Sequence, residues 1–586
     1  MMTFKFQEHL PRVPIPKLVD TKHKLLEAIE ALVSEDEFKE TKKIIQQFFE
    51  ESGEAQILQE KLQIWQEDFA GSWLKPFWDN VYLASRDPLH TSSNFNILLD
   101  NQQYQVLTIA ELAGKVSRFV AEFYHSIMDE KAAPEIIRGI PLDMSQYPNI
   151  FRSVRIPKVH RDRHYVAEYS KVENHISLLT NGNIYSIPVT NQRGMIYSSE
   201  ALSNVIEEIL SLNELKGNNV GIFTTAIRNK SADIYRQLSV TKVNAESLQS
   251  IANSLVVLSI DKESANSDEA IQNLLLSGKN KYFDKTLQIV ITKAGELGYC
   301  VEHSAVDGTT IFAVIQYVQD QLTSTNMESM ETEELPKAKR LDWLLSAELL
   351  EELRTLEIEN KKTIQNYFIQ VQNFDAFGID EIKQLGFSPD SFFHMALQVA
   401  QYRTFSTMHS TYEAVSMRSF KEGRTECIRP SCTENLTLAK AIVEEQLEPR
   451  LVYRLMQNAS TAHSVRLNKA RKGFGVERHL FGLQQIFFMF GDELGIEKTP
   501  ALFSDPGYLK MHHDFISTSN MTHPQVKSCV FGPVVEDGYG IFYVLLKNRL
   551  IVNFSSFSRD EEDTKLLARN LDGALKELRD IALAVK

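Results

Sequence analysis

The sequence predicts an α/β fold built on mixed sheets, with α+β the arrangement the same pattern also allows. Three observations carry this. Helical periodicity fills the first hundred residues, short β-branched runs begin near Phe151, and the order of helices followed by strands recurs after a polar segment at 322–339.

The elements follow in chain order. Lys24 to Leu32 has helical spacing behind a polar start at Asp20 and Thr21, and Phe38 to Phe49 and Ile57 to Trp65 repeat it. His175 to Leu179 and Ile184 to Val189 alternate with period two, and Asn181-Gly182 between them is a hairpin signal. A helix is expected at Ser199 to Leu212, with strands at Val256 to Ile260 and Thr286 to Ile291. The segment 322–339 is acidic and poor in large apolar residues, which marks it as a domain boundary or a solvated loop. Beyond it come helices at Ala347 to Glu357, Ser391 to Arg403 and Leu436 to Gln446. Strands follow at Cys529 to Val534, Gly540 to Leu546 and Leu550 to Phe557, and a last helix starts at Asp560.

A chain of 586 residues exceeds the usual size of one domain, so two large domains are expected. With 63 Lys and Arg against 77 Asp and Glu, the net charge of −14 argues against a dedicated nucleic-acid binder. Cys300, Cys427, Cys432 and Cys529 form no CxxC pair and no Cys/His metal spacing, so a reducing compartment and no metal are expected. The first residues lack the apolar run of a signal peptide, and no stretch is apolar for long enough to span a bilayer; a cytoplasmic, monomeric protein is the expectation.

The densest chemical signal is Glu302-His303-Ser304-Ala305-Val306-Asp307-Gly308, directly after an alternating strand closed by a turn around Gly295 to Gly298. A histidine at a strand end can serve as a general base near neutral pH, or it can be a satisfied structural histidine; these residues alone leave both open. Asp307 could orient the loop through an ion pair, with Arg424 as a candidate partner.

The HxxxDG pattern sits in a longer series of motifs. Leu10 to Leu18 (LPRVPIPKL), Trp73-Leu74-Lys75, Tyr82-Leu83, Gln146-Tyr147, Arg155-Ile156-Pro157 and Lys279 to Gln288 precede it. Tyr412 to Glu426, Arg478 to Leu483, Ser517-Thr518-Ser519 and Phe531 to Gly540 follow. In this order the chain resembles the choline/carnitine O-acyltransferase family. The resemblance implies two similarly folded domains of chloramphenicol-acetyltransferase-like type, mixed sheets covered by helices, and an active-site tunnel at the domain interface. Residues 64–345 would form the N-terminal acyltransferase domain, and residues 1–63 with 346–586 the C-terminal one.

It also implies reversible transfer of an acyl group between coenzyme A and the hydroxyl of a trimethylammonium alcohol, without an acyl-enzyme and without a resident cofactor or metal. His303 would be the base, Ser519 the oxyanion donor and Asp307 a loop-orienting residue. A weakly acidic hydroxyl or thiol needs an adjacent base at neutral pH, which agrees. Tyr412, Thr425 and Arg478 match the carboxylate-binding positions of carnitine-using members, and Tyr82 would share that pocket. Phe531 and Val534 would face the quaternary ammonium. Lys383 and Asp390 match coenzyme A contacts, while Ile379 stands where the family has a second lysine, and Asn520 where it has glutamine. Cys529 lies where side-chain bulk sets acyl length, and a short or medium acyl group is expected. A choline or other amino-alcohol acyltransferase, and a catalytically silent acyl-CoA- or carnitine-binding protein, are the alternatives.

Overall fold

The computed structural model describes residues 2–69, 71–212, 216–261, 264, 266–324, 335–444 and 447–586. Of the polar segment at 322–339, residues 325–334 lie outside the described residues, as do 445 and 446 of the helix expected to end at Gln446.

Fourteen strands build the two large sheets: β1 (Phe95–Leu99), β2 (His175–Thr180), β3 (Asn183–Pro188), β4 (Val257–Asp261), β5 (Leu287–Thr292), β6 (Leu297–Val301), β7 (Lys339–Arg340), β8 (Tyr367–Phe374), β9 (Thr411–Ser416), β10 (Thr425–Ile428), β11 (Ile516–Met521), β12 (Val526–Phe531), β13 (Tyr539–Leu545) and β14 (Leu550–Phe557). The eight-stranded sheet runs β7-β3-β2-β4-β5-β6-β1-β12, and the six-stranded sheet runs β8-β14-β13-β11-β9-β10. Both are mixed and share a pattern. In the first, β2, β4 and β5 are parallel and β3 and β6 flank them antiparallel. In the second, β9, β11 and β13 are parallel and β10 and β14 flank them antiparallel.

The chain divides into two compact units. The first comprises Met1–Gln7, Asp79–Tyr367 and Gln525–Gly532; the second comprises Glu8–Trp78, Phe368–Pro524 and Pro533–Lys586. In the first, buried residues including Leu179, Phe223, Ile251, Val257 and Leu353 form one apolar cluster. In the second, the helices Pro389–Phe405 and Glu561–Val585 cover the six-stranded sheet, joining Phe393, Leu397, Tyr543, Leu571 and Leu578 in one core. A second cluster there gathers Leu25, Ile45, Leu58, Trp73 and Leu480.

Local signals explain most boundaries. Ser34 and Thr108 each form a capping box with the Glu three residues on, starting helices at Glu35 and Ile109. Asn181 and Gly182 take φ of 50° and 74°, the two positive values a two-residue type I′ turn requires, so β2 and β3 form the expected hairpin. The first helix differs from expectation: it begins at Leu18 rather than Lys24. Asp20 and Thr21 lie inside it because Thr21 is buried and hydrogen-bonds His479 Nδ1 at 2.7 Å instead of capping.

Candidate active site

In the first unit, β6 is buried along its whole length, and the chain leaves it through Glu302 into the loop that carries His303. Glu302 is itself buried, and its carboxylate takes hydrogen bonds from Ser304 N at 3.2 Å and Ser304 Oγ at 2.6 Å, with Arg155 Nη1 at 3.3 Å. Arg155 also reaches Asp162 at 2.8 Å, and Arg228 bridges Asp162 and Asp284 at 2.7 Å each. This network pairs three buried carboxylates with two buried guanidinium groups and fixes the loop root, although Arg228 Nη2 and Asp284 Oδ2 have no hydrogen bond among the described residues.

His303 Nδ1 lies 2.7 Å from the Val306 carbonyl oxygen. A carbonyl can only accept, so Nδ1 carries the proton and Nε2 of the neutral ring keeps its lone pair. Asp307 Oδ1 stands 3.9 Å from Nδ1, beyond hydrogen-bond reach, so it does not orient the ring as the acid of a triad would. Its partner within the first unit is Gln146: Gln146 Nε2 donates to Asp307 Oδ2 at 2.7 Å, while Gln146 Oε1 accepts from Asp307 N at 2.7 Å and from Thr310 Oγ1 at 2.9 Å. One amide thus anchors the start of the helix Gly308–Thr323, whose N-terminus favours the Asp307 charge. The Tyr82 and Phe95 rings stand 5.5 and 5.0 Å from that of His303. Tyr82, expected to share the pocket of the carboxylate-binding residues, stands as a wall of the histidine. Arg424 belongs to the second unit.

In the second unit the three residues expected to hold a carboxylate come together. Arg478, second in the helix Glu477–Phe490, donates through Nη2 to Tyr412 Oη at 3.0 Å and Thr425 Oγ1 at 3.4 Å, and through Nε to the Thr425 carbonyl at 2.8 Å. Its guanidinium lies 4.1 Å from the centre of the Trp78 ring. Burial works against its charge, but Tyr412 and the nearby acids outweigh it and hold its pKa above the usual range. The neighbouring Glu426 is fully buried, and burial pushes its carboxyl up to about 7 against the opposing pull of Arg478.

Ser519 lies in β11, half-buried, with Asn520 exposed next to it. Asn520 Nδ2 donates to Asp390 Oδ1 at 3.0 Å and lies 2.9 Å from Tyr543 Oη, which donates to the same Asp390 oxygen at 2.7 Å. Asp390, in the first turn of Pro389–Phe405, therefore meets the residue expected to depart from the family pattern. Asp390, Glu413 and His463 bring ligand-type atoms within 4.8 Å of one another, the group among the described residues that could hold a metal ion. The cluster is already linked internally: His463 Nε2 is 3.3 Å from Asp390, and His394 Nε2 is 2.9 Å from Glu413 though off hydrogen-bond geometry. Burial raises the Glu413 carboxyl well above its ordinary range. Lys383 is exposed on the short helix Ile379–Gln384, and Ile379 packs against the apolar core.

Cys529 is fully buried in β12, facing Ile97 of β1 in the first unit's sheet, and burial raises its thiol well above the ordinary value. Phe531 ends that strand half-buried, while Val534 is 51% exposed in the second unit. Sequence reasoning gave no role to Gln146, Trp78 or Glu426. Gln146 and Glu426 stood in the ordered motifs; Trp78 carried no local signal, since its importance lies in its contact with Arg478, hundreds of positions away.

Comparison with known proteins agrees with these motifs. A family model described as Choline/Carnitine o-acyltransferase matches residues 13–573. Carnitine O-acetyltransferase of Rattus norvegicus is 30% identical over 597 residues, 98% of this chain and 94% of that protein. Carnitine O-acetyltransferase of Homo sapiens is 30% identical over 98% of this chain and 93% of its own length. Choline O-acetyltransferase of Danio rerio is 29% identical, again over 98% of this chain and 93% of that protein.

Proposed function

Because this chain belongs to the choline/carnitine O-acyltransferase family, we propose that it transfers a short- or medium-chain acyl group reversibly between coenzyme A and the hydroxyl of carnitine. The observation that carries the choice of alcohol is the hydrogen-bonded trio of Tyr412, Thr425 and Arg478. Two hydroxyls and a guanidinium converge there, which suits a carboxylate; choline has none, and a buried guanidinium with no anion to meet is costly.

In this reading His303 Nε2 removes the proton from the carnitine hydroxyl as its oxygen attacks the thioester carbonyl. The tetrahedral oxyanion is stabilised by the Ser519 hydroxyl. Collapse breaks the C–S bond, and the leaving thiolate of coenzyme A takes the proton back from His303, so atoms and charge balance and no acyl-enzyme forms. Holding the Nδ1 proton on Val306 O supports this use, since it makes Nε2 the basic nitrogen of the neutral ring. Lys383 and Asp390 would serve coenzyme A, and Cys529 would limit acyl length.

Arg478→Ala tests the assignment. It should lower kcat/KM for carnitine about a hundredfold or more, the scale of removing one partner of a buried charge pair, and leave any choline turnover far less affected. Equal loss with both alcohols would contradict the carnitine reading. Choline relatives at 29% identity make choline the second reading. A protein that binds without turning over would keep its behaviour unchanged in His303→Ala.

A further inference from the structure

Lys281 belongs to a motif that the acyl-transfer reading leaves without a role. It is 2% exposed, and its ammonium has no hydrogen bond or ion pair among the described residues. It lines a cavity of about 190 Å³ in the first unit, formed by the β2–β3 hairpin, the end of β4 and the loop before Tyr282. Lys279 lines the same cavity, and Asp261 is the single carboxylate in the lining among the described residues. That carboxylate is engaged by Ser264, whose N and Oγ lie 3.3 and 2.5 Å from it. Thr180, Asn181 and Asn183 add hydroxyl and amide groups, and Leu212, 46% exposed, stands at the rim.

A lysine this buried whose ammonium meets no counter-charge among the described residues is uncommon in folded proteins, because burying an unpaired charge costs several kcal/mol in general. The remaining surroundings here are those of an anion site: a second cation nearby, neutral donors, and an apolar side. We propose that this cavity binds a small anion, with its phosphate or carboxylate group against the Lys281 ammonium. The volume suits inorganic phosphate or a short organic acid and falls below the range of pockets that hold drug-sized ligands. None of these residues belongs to the His303 loop, so the site stands or falls independently of the acyl-transfer reading.

Isothermal titration calorimetry of the full chain with inorganic phosphate and, separately, with butyrate tests it. At least one probe should bind, and Lys281→Met, which keeps length and removes charge, should weaken it tenfold or more. Leu212→Trp, an exposed position that a bulky ring would close, should do the same. The probe that binds distinguishes a phosphate from a carboxylate ligand. Absence of binding by either probe overturns the proposal, as does an unchanged affinity in Lys281→Met. If Lys281→Met does not fold, an unchanged affinity in Leu212→Trp overturns it and a lost one supports it.

Discussion

Glu426 accepts from Cys427 N at 2.9 Å and Arg478 N at 3.2 Å through one carboxylate oxygen, in a buried position. Burial raises its pKa from 4.5 to about 7, so the folded chain keeps a proton that the unfolded chain releases. A carboxyl with a raised folded-state value contributes stability that is complete below about pH 4.5 and is lost as pH climbs through about 7. Glu426→Gln should therefore remove a pH-dependent loss of at most roughly 3 kcal/mol. Denaturant melts of both proteins at pH 5 and pH 8 check this: the variant should gain relative to the parent at pH 8. A difference independent of pH would show that Glu426 is ionised throughout. Nothing in the Gly-Arg-Thr-Glu string reveals this, because the shift arises from the surrounding core closing over the side chain.

At the scale of elements, the Gln146 amide and the start of the helix Gly308–Thr323 act as one piece, since Asp307 N, Asp307 Oδ2 and Thr310 Oγ1 all share it. Gln146→Leu would leave a buried N–H unsatisfied, at a cost of about 1–3 kcal/mol. Because the loop it releases carries His303, kcat should fall more than the KM for either substrate changes, and steady-state kinetics with a thermal melt would show both effects. Gly532 closes β12 so tightly that a Cβ there would stand 2.0 Å from the Thr91 carbonyl oxygen. Gly532→Ala must shift backbone and should destabilise the chain by about 1–3 kcal/mol, measurable by the same melt. The hairpin at Asn181-Gly182, the helix Ser199–Ser211 and the strand Leu550–Phe557 were legible because turn chemistry, capping and periodicity are local. The pairing of β12 with β1 was not, because a strand's alternation states which face is apolar and not which partner it finds some 430 residues earlier. β1 itself is buried throughout and so shows no alternation to detect.

At the scale of the whole molecule, the chain builds the same arrangement twice, three parallel strands flanked by antiparallel ones, from stretches with no strict sequence repeat. The motifs divide between the copies: the candidate base and its anchoring network belong to the first unit, the carboxylate trio and Ser519 to the second. HxxxDG, the Ser517 to Ser519 run and the Tyr, Thr and Arg positions were legible as a family series. Which of them touch one another was not, since Arg478 and Tyr412 are separated by 66 positions and meet through tertiary packing. We propose that this chain moves acyl groups to carnitine. The measurement that tests it most directly is release of the coenzyme A thiol by the purified chain from acyl-CoAs of two to sixteen carbons, with carnitine or choline as acceptor. Carnitine-dependent release is expected, greatest with the short and medium acyl chains and abolished in His303→Ala. Release that depends on choline instead, or that persists undiminished in His303→Ala, would contradict it.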